Sequence, residues 1–198
     1  MCPDFGVSTA LKGHTMKKKI NHLKLLFAIT AFFVSCQSQP EQIPGYEKFS
    51  LNPNFEADVQ TVNSMLTACF AGDVAGMETW MHPHYMSYGP GHNREETRQE
   101  TIDGWVNFAR RFENTQLANA TYYSFIIDDK DDLPELNGAW LVLWGNVIFT
   151  ERMSGSEIHS RVHLAFRVNN GKVEEGNLYY DNLSLNEQLG WKLVPPEN

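Results

Sequence analysis

The chain holds 198 residues, with 16 Lys and Arg against 24 Asp and Glu, a net charge of -8 and 42% hydrophobic residues. That length suits one domain of roughly 100–200 residues and leaves no room for two sizeable ones. The hydrophobic content excludes a wholly disordered chain, and the acidic balance, with a pI near 5.3, excludes a general nucleic-acid binder, which needs clustered cations to displace counterions from phosphate.

Residues 1–36 read as an upstream extension followed by a secretory signal. Met16-Lys17-Lys18-Lys19 gives a basic start, Leu25 to Val34 an apolar run, and Ser35 a small residue before Cys36, which is the order of n-region, h-region and cleavage site. The pattern predicts translation from Met16. The apolar run is about half the ~20 residues that a helix needs to span a bilayer. Phe33-Val34-Ser35-Cys36 resembles a bacterial lipobox, whose cysteine becomes the lipidated first residue of the mature protein. The expected product is exported and lipid-anchored through Cys36 to a membrane of a bacterial cell envelope, facing the periplasm or the cell surface. An ordinary signal peptide with an incidental cysteine is the competing reading. Residues 37–53, which open on polar Gln37 to Gln42, are expected to be a flexible tether. Without residues 1–35 the chain keeps 11 basic and 23 acidic groups, about -12, and Cys69 is the one unmodified thiol. No intramolecular disulfide is then expected.

A domain is expected over residues 54–194. Phe55, Val59, Val62, Leu66, Cys69 and Phe70 recur at three- and four-residue steps before Gly72, which predicts a helix with a glycine stop. Cys69 falls on its apolar face as a small buried hydrophobe. Asp73 can cap a second, short helix through Met81, ended by Pro83. His82 to Gly91 reads as a loop with a short strand at Tyr85–Tyr88. Asn93 and Glu96 have the spacing of a capping box, followed by a stripe of Ile102, Trp105, Val106, Ala109 and Phe112, so a third helix is predicted. The period then changes to two, with strands predicted over Thr121–Ile127, Ala139–Thr150, Glu157–Val168 and Val173–Leu185. Acid-rich Asp128 to Asn137 reads as an unpacked connection. Three helices followed by an antiparallel sheet make an α+β domain.

Asn170-Gly171 between two strands is a strong signal for a two-residue hairpin turn. Counting back from a pair of Asn169 with Lys172 sets Val162 opposite Tyr179 and Ser160 opposite Asp181. Opposed residues share a face, so Asp181 is expected to point with Val162, Leu164 and Phe166 into the apolar side, and His163 to the other. A carboxylate there would be a general base tuned by burial, or a structural acid bonded to backbone or Arg. A one-residue slip would reverse this assignment.

Phe166 to Glu175, then Tyr179-Tyr180-Asp181 and Gln188-Leu189-Gly190, with Asp181 ten residues after Gly171, resemble SnoaL-like proteins of the nuclear-transport-factor-two-like superfamily. The resemblance runs over about Phe55 to Leu193 and includes His82-Pro83-His84-Tyr85. It implies a cone-shaped, curved antiparallel sheet around a long helix, an internal pocket for an apolar or aromatic small molecule, and a homodimer. In polyketide cyclases of that family an aspartate on the last strand is the acid/base catalyst, which Asp181 matches, and a neighbouring histidine assists, for which His163 is the nearest residue. His84 is a third catalytic candidate. His82, Tyr85, Tyr88, Trp105, Trp144 and Tyr179 are the candidate ligand contacts. His82, His84 and His92 lack the accompanying acids or cysteines of a metal site, and no cofactor motif is legible. Three functions remain open: a proton-transferring isomerase, cyclase or dehydratase; a surface lipoprotein that binds without turnover; and an assembly module using the outer face of the sheet.

Overall fold

The structure, a computed structural model, describes residues 46–194. The signal, Cys36 and the first part of the expected tether lie outside the described residues. The strands are β1 (Phe49–Leu51), β2 (Met81–Tyr88), β3 (Glu95–Thr97), β4 (Phe112–Ile127), β5 (Gly138–Glu151), β6 (Glu157–Asn169) and β7 (Lys172–Tyr180). The helices are α1 (Phe55–Ala71), α2 (Val74–Trp80), α3 (Arg98–Arg111) and α4 (Asn182–Gln188). One sheet runs β1-β4-β5-β6-β7-β2-β3. Every neighbouring pair is antiparallel except β2 and β7, which run parallel.

The sheet curls because β4 is bulged twice. Its pairing with β5 slips between Glu113 and Gln116 and again between Ala118 and Thr121. Asn114 and Asn119 occupy those slips with φ of 53° and 54°, a region that asparagine tolerates better than most side chains. Each bulge bends the strand and tightens its twist. The concave face closes on α1, where Val62, Met65, Leu66 and Cys69 meet Leu141, Leu143, Leu164, Phe166 and Val173. Burial pushes the Cys69 thiol far above its ordinary pKa, so the side chain acts as the small hydrophobe expected of it.

Helix α1 stops where the sequence predicts. Gly72 adopts φ 66° and donates to Cys69 O, while Asp73 N donates to Ala68 O at 2.9 Å, the paired bonds of a Schellman end. A Cβ on Gly72 would lie 2.8 Å from Ala109 Cβ, so the same glycine lets α3 pack against the turn.

Several expectations are corrected. Residues 49–51, inside the expected tether, form β1 and pair with Ile127 to Phe125. Asn52 fastens that end: its Nδ2 donates to Asp58 Oδ2 at 2.7 Å and to Ser124 Oγ at 2.8 Å. The expected loop at His82 is the strand β2, and Pro83 falls where the pairing with β7 is interrupted between Met81 and Met86, the irregular position that a residue without an N–H requires. The capping box is Thr97 with Glu100, four residues beyond the expected one. Asn93 instead turns the preceding loop with φ 59°. The acidic connection is mostly exposed, as expected, but it is anchored: the buried Asp129 carboxylate accepts from Lys48 Nζ at 2.9 Å and from Asp132 N at 3.0 Å, and Trp140 Nε1 donates to Leu136 O at 2.7 Å. These donors, the Asp132 amide first, hold the Asp129 carboxyl below the usual carboxylate range.

The β6–β7 register also differs. Asn169 pairs with Lys172 and Val168 with Val173, but Arg167 pairs with Glu175, so Glu174 is an extra residue and the ladder beyond it is shifted by one. Val162 therefore opposes Tyr180, and His163 opposes Tyr179. The strand ends at Tyr180, not Leu185, and α4 follows.

Gly176 shows how closely this region is packed. A Cβ there would fall 2.6 Å from Tyr85 Oη and 3.2 Å from Phe166 Cε1. Gly176→Ala is expected to lower stability in denaturant unfolding by about 1–3 kcal/mol, the usual range for overpacking. Adding Tyr85→Phe should recover part of that loss, and strictly additive effects would show that the contact is not the cause.

Candidate functional site

The concave side of the sheet leaves a cavity of about 160 Å³ that opens between α3, α4 and the sheet. Its helical wall is Leu66 and Phe70 of α1, Trp105 and Phe108 of α3, and Leu185 of α4. Its sheet wall is Val147 and Phe149 of β5, Ser160, Val162 and Leu164 of β6, and Leu178 and Tyr180 of β7. The aromatic rings hold each other edge to face: Trp105 and Phe108 are 5.3 Å apart between centroids, and Phe108 and Phe149 are 5.1 Å apart. No carboxylate, imidazole, ammonium or guanidinium lines the space. The polar side-chain groups of its lining residues are the hydroxyls of Ser160 and Tyr180 and the indole N–H of Trp105. Burial pushes the Tyr180 phenol above its ordinary pKa; nearby Arg94 pulls it down and Glu96 pushes it up. It is a neutral donor at physiological pH.

Helix α4 closes one side of the cavity, and its attachment accounts for the Gln188-Leu189-Gly190 motif. Gln188 Nε2 donates to His159 O, and His159 N donates to Gln188 Oε1, both at 2.9 Å. The side-chain amide thus pairs with β6 as a strand would. Leu189 packs against the cluster of Phe112, Phe149 and Ile158, and Gly190 turns the chain with φ 83°.

Of the residues expected at the site, Trp105 lines the cavity. Asp181 is exposed and ends the strand as the N-cap of α4, with Oδ1 accepting from Ser184 N at 3.0 Å. It does not share a face with Val162, because the bulge at Glu174 gives that place to Tyr180. His163, Trp144 and Tyr179 stand on the outer face of the sheet. The His163 ring stacks on Trp144 at 5.0 Å and lies 6.0 Å from Tyr179, and Tyr123 completes the row 5.1 Å from Trp144. Trp144 and Tyr179 are 45% and 57% exposed, so they are solvent-facing and not ligand contacts of the cavity. Tyr88 pairs with Asn177 on the same outer side. Tyr85 is buried in the core, its phenol pushed far up by burial. His82 and His84 lie outside the cavity wall, with rings 5.5 Å apart and His82 Nε2 3.9 Å from Glu174 Oε1. Among the described residues no three His, Cys, Asp or Glu converge as metal ligands.

Apart from Trp105, none of the cavity residues was a candidate ligand contact in the sequence; Ser160 and Tyr180 are the polar ones among those missed. Ser160 had a signal, as a hydroxyl on the face that carries Ile158, Val162, Leu164 and Phe166. Tyr180 had none, since its direction depends on the bulge.

No protein-family model matches the chain, and no curated protein matches it in sequence. Solved structures do share its fold. A protein with a ketosteroid isomerase-like fold from Catenulispora acidiphila, solved with trimethylamine, superposes with a TM-score of 0.52 at 12% identity, over 69% of this chain and 98% of that one. A candidate isomerase from Bacillus subtilis gives 0.54 at 13%, over 70% and 96%. IdmH, a candidate polyketide cyclase from Streptomyces antibioticus, gives 0.50 at 17%, over 67% and 98%. The fold is the α+β cone of nuclear-transport-factor-two-like proteins.

The N-cap assignment makes a sharp expectation for Asp181. Asp181→Ala should cost about 0.5–2 kcal/mol, as loss of a cap does, while Asp181→Asn, which keeps an acceptor, should unfold close to the parent. Denaturant melts read both, and an Asn variant as unstable as the Ala one would contradict the assignment.

Proposed function

We propose that this domain binds a small, uncharged, largely apolar molecule inside the cone, without Asp181 acting as a base. The observation that carries this is the cavity wall, which is apolar and aromatic and presents two hydroxyls but no ionisable group suited to proton transfer near pH 7. A carboxylate that worked as general base would have to reach the proton it removes, and the Asp181 carboxylate is engaged at the α4 N-terminus. The isomerase and cyclase descriptions of two structural neighbours support a small-molecule ligand for this fold. They do not supply this chain with the acid or base such chemistry needs.

The size of the space favours a single ring. An enclosed apolar cavity near 150 Å³ takes up benzene, and this space, open on one side, has about 160 Å³. Binding is read by methyl-resolved NMR with toluene as the probe. Shifts are expected at Leu66, Val147, Val162, Leu164 and Leu178, with the same affinity in Asp181→Asn, and no shifts at saturating toluene would refute the reading.

The lipobox-like segment and the basic, apolar residues before it support the further proposal that the domain is displayed on a bacterial envelope membrane through Cys36. Cys36→Ser is expected to move the protein from the membrane fraction to the soluble one. An unmodified Cys36 in the mass spectrum of membrane-bound protein would sink this proposal.

A further inference from the structure

The two hydroxyls in the cavity are unused by the protein. Among the described residues neither the Ser160 Oγ nor the Tyr180 Oη makes a side-chain hydrogen bond, and both keep contact with the open side of the cavity. A ligand that fills the cavity takes solvent away from both hydroxyls, and leaving one unpaired in apolar surroundings is then unfavourable. Val162 pairs with Tyr180, so Ser160 is the diagonal neighbour of Tyr180 on the same face, about 7–8 Å away by the usual sheet spacing. Two donors from adjacent strands therefore enter one wall, and the rings of Trp105 and Phe108 stand among the apolar groups that complete the enclosure.

We infer that the cavity selects a single-ring molecule carrying one hydrogen-bond-accepting oxygen, a ketone or aldehyde type of group, which the Ser160 and Tyr180 hydroxyls hold. This rests on the cavity being the binding site. Each hydroxyl can donate while rotating to suit the ligand, and the phenol remains protonated throughout the physiological range. A pure hydrocarbon would leave both donors unpaired. A carboxylate or amine would enter without a counter-charge, because no charged side chain lines the wall. Ser160 and Tyr180 are thereby specificity-determining residues, and no bond is made or broken in this role.

The test compares acetophenone with α-methylstyrene, which has the same shape with a methylene in place of the carbonyl oxygen. Water solvates the ketone better, so a wholly apolar cavity would favour α-methylstyrene. Titration calorimetry or NMR on the full domain is expected to show acetophenone binding at least about tenfold tighter, the effect of one satisfied hydrogen bond. Tyr180→Phe and Ser160→Ala should each reduce that preference, and continued binding of α-methylstyrene certifies that the variants keep the cavity. Equal binding of the two probes, or a preference that survives both substitutions, overturns the inference and leaves the apolar cavity standing. Failure of both probes to bind overturns the inference together with the cavity reading. Tighter binding of benzoate than of acetophenone overturns the inference alone.

Discussion

Which side chains enter the cone depends on one extra residue. Where β6 and β7 leave their turn, Glu174 has no partner across the ladder, and every residue after it changes sides. Two polar contacts favour that irregularity. Asn169 Nδ2 donates to Glu174 Oε1 at 2.7 Å, and Arg167 donates through its NH2 group to Glu175 Oε2 at 2.9 Å, so both consecutive glutamates have donors. In an unbulged ladder the next residues would present Tyr179 to the core and Tyr180 to solvent. The bulge also brings Gly176 to the inner face beneath Tyr85, where a side chain would not fit. The cavity inherits its wall from this shift: Leu178 supplies apolar surface and Tyr180 a phenol.

The same shift accounts for Asp181. With the strand ending one residue earlier on that face, the aspartate is free to cap α4, and α4 is what narrows the mouth of the cavity through Leu185. Its short length would not sustain a helix in isolation. The helix is held by tertiary contacts: the Asp181 cap at one end, the Gln188 amide on the β6 backbone at the other, and Leu189 among Phe112, Phe149 and Ile158. The resemblance of this segment to SnoaL-like sequences points to catalysis by the aspartate, yet here its carboxylate caps the helix. Fold and position in a motif do not by themselves assign chemistry.

The outer face has a separate character. Tyr123, Trp144, His163 and Tyr179 form one row across β4 to β7, while the acidic connection covers Trp140 further along. That connection looked unpacked in sequence because it is rich in acids. Its buried carboxylate, Asp129, is satisfied by Lys48 and by backbone amides of its own turn, partners that no local pattern reveals. The capping box was displaced for a related reason. Asn93 with Glu96 and Thr97 with Glu100 have the same spacing, and only the pairing of Glu95–Thr97 with β2 decides which one starts α3.

Local sequence determined the features that local physics controls. The three-and-four spacing of Phe55 to Phe70 and the glycine at 72 set α1 and its end; alternation along β6 set its inner and outer faces; Asn170-Gly171 set the turn. These depend on short-range sterics and on the separation of apolar from polar side chains. What only the tertiary structure decided were the partners of remote segments: β2 lying parallel to β7 despite Pro83, β1 added at the edge, and the slip at Glu174. A slip of one residue alters no residue's character, only its direction. That is why the aspartate expected inside the cone is at a helix end, and two hydroxyls occupy the wall instead.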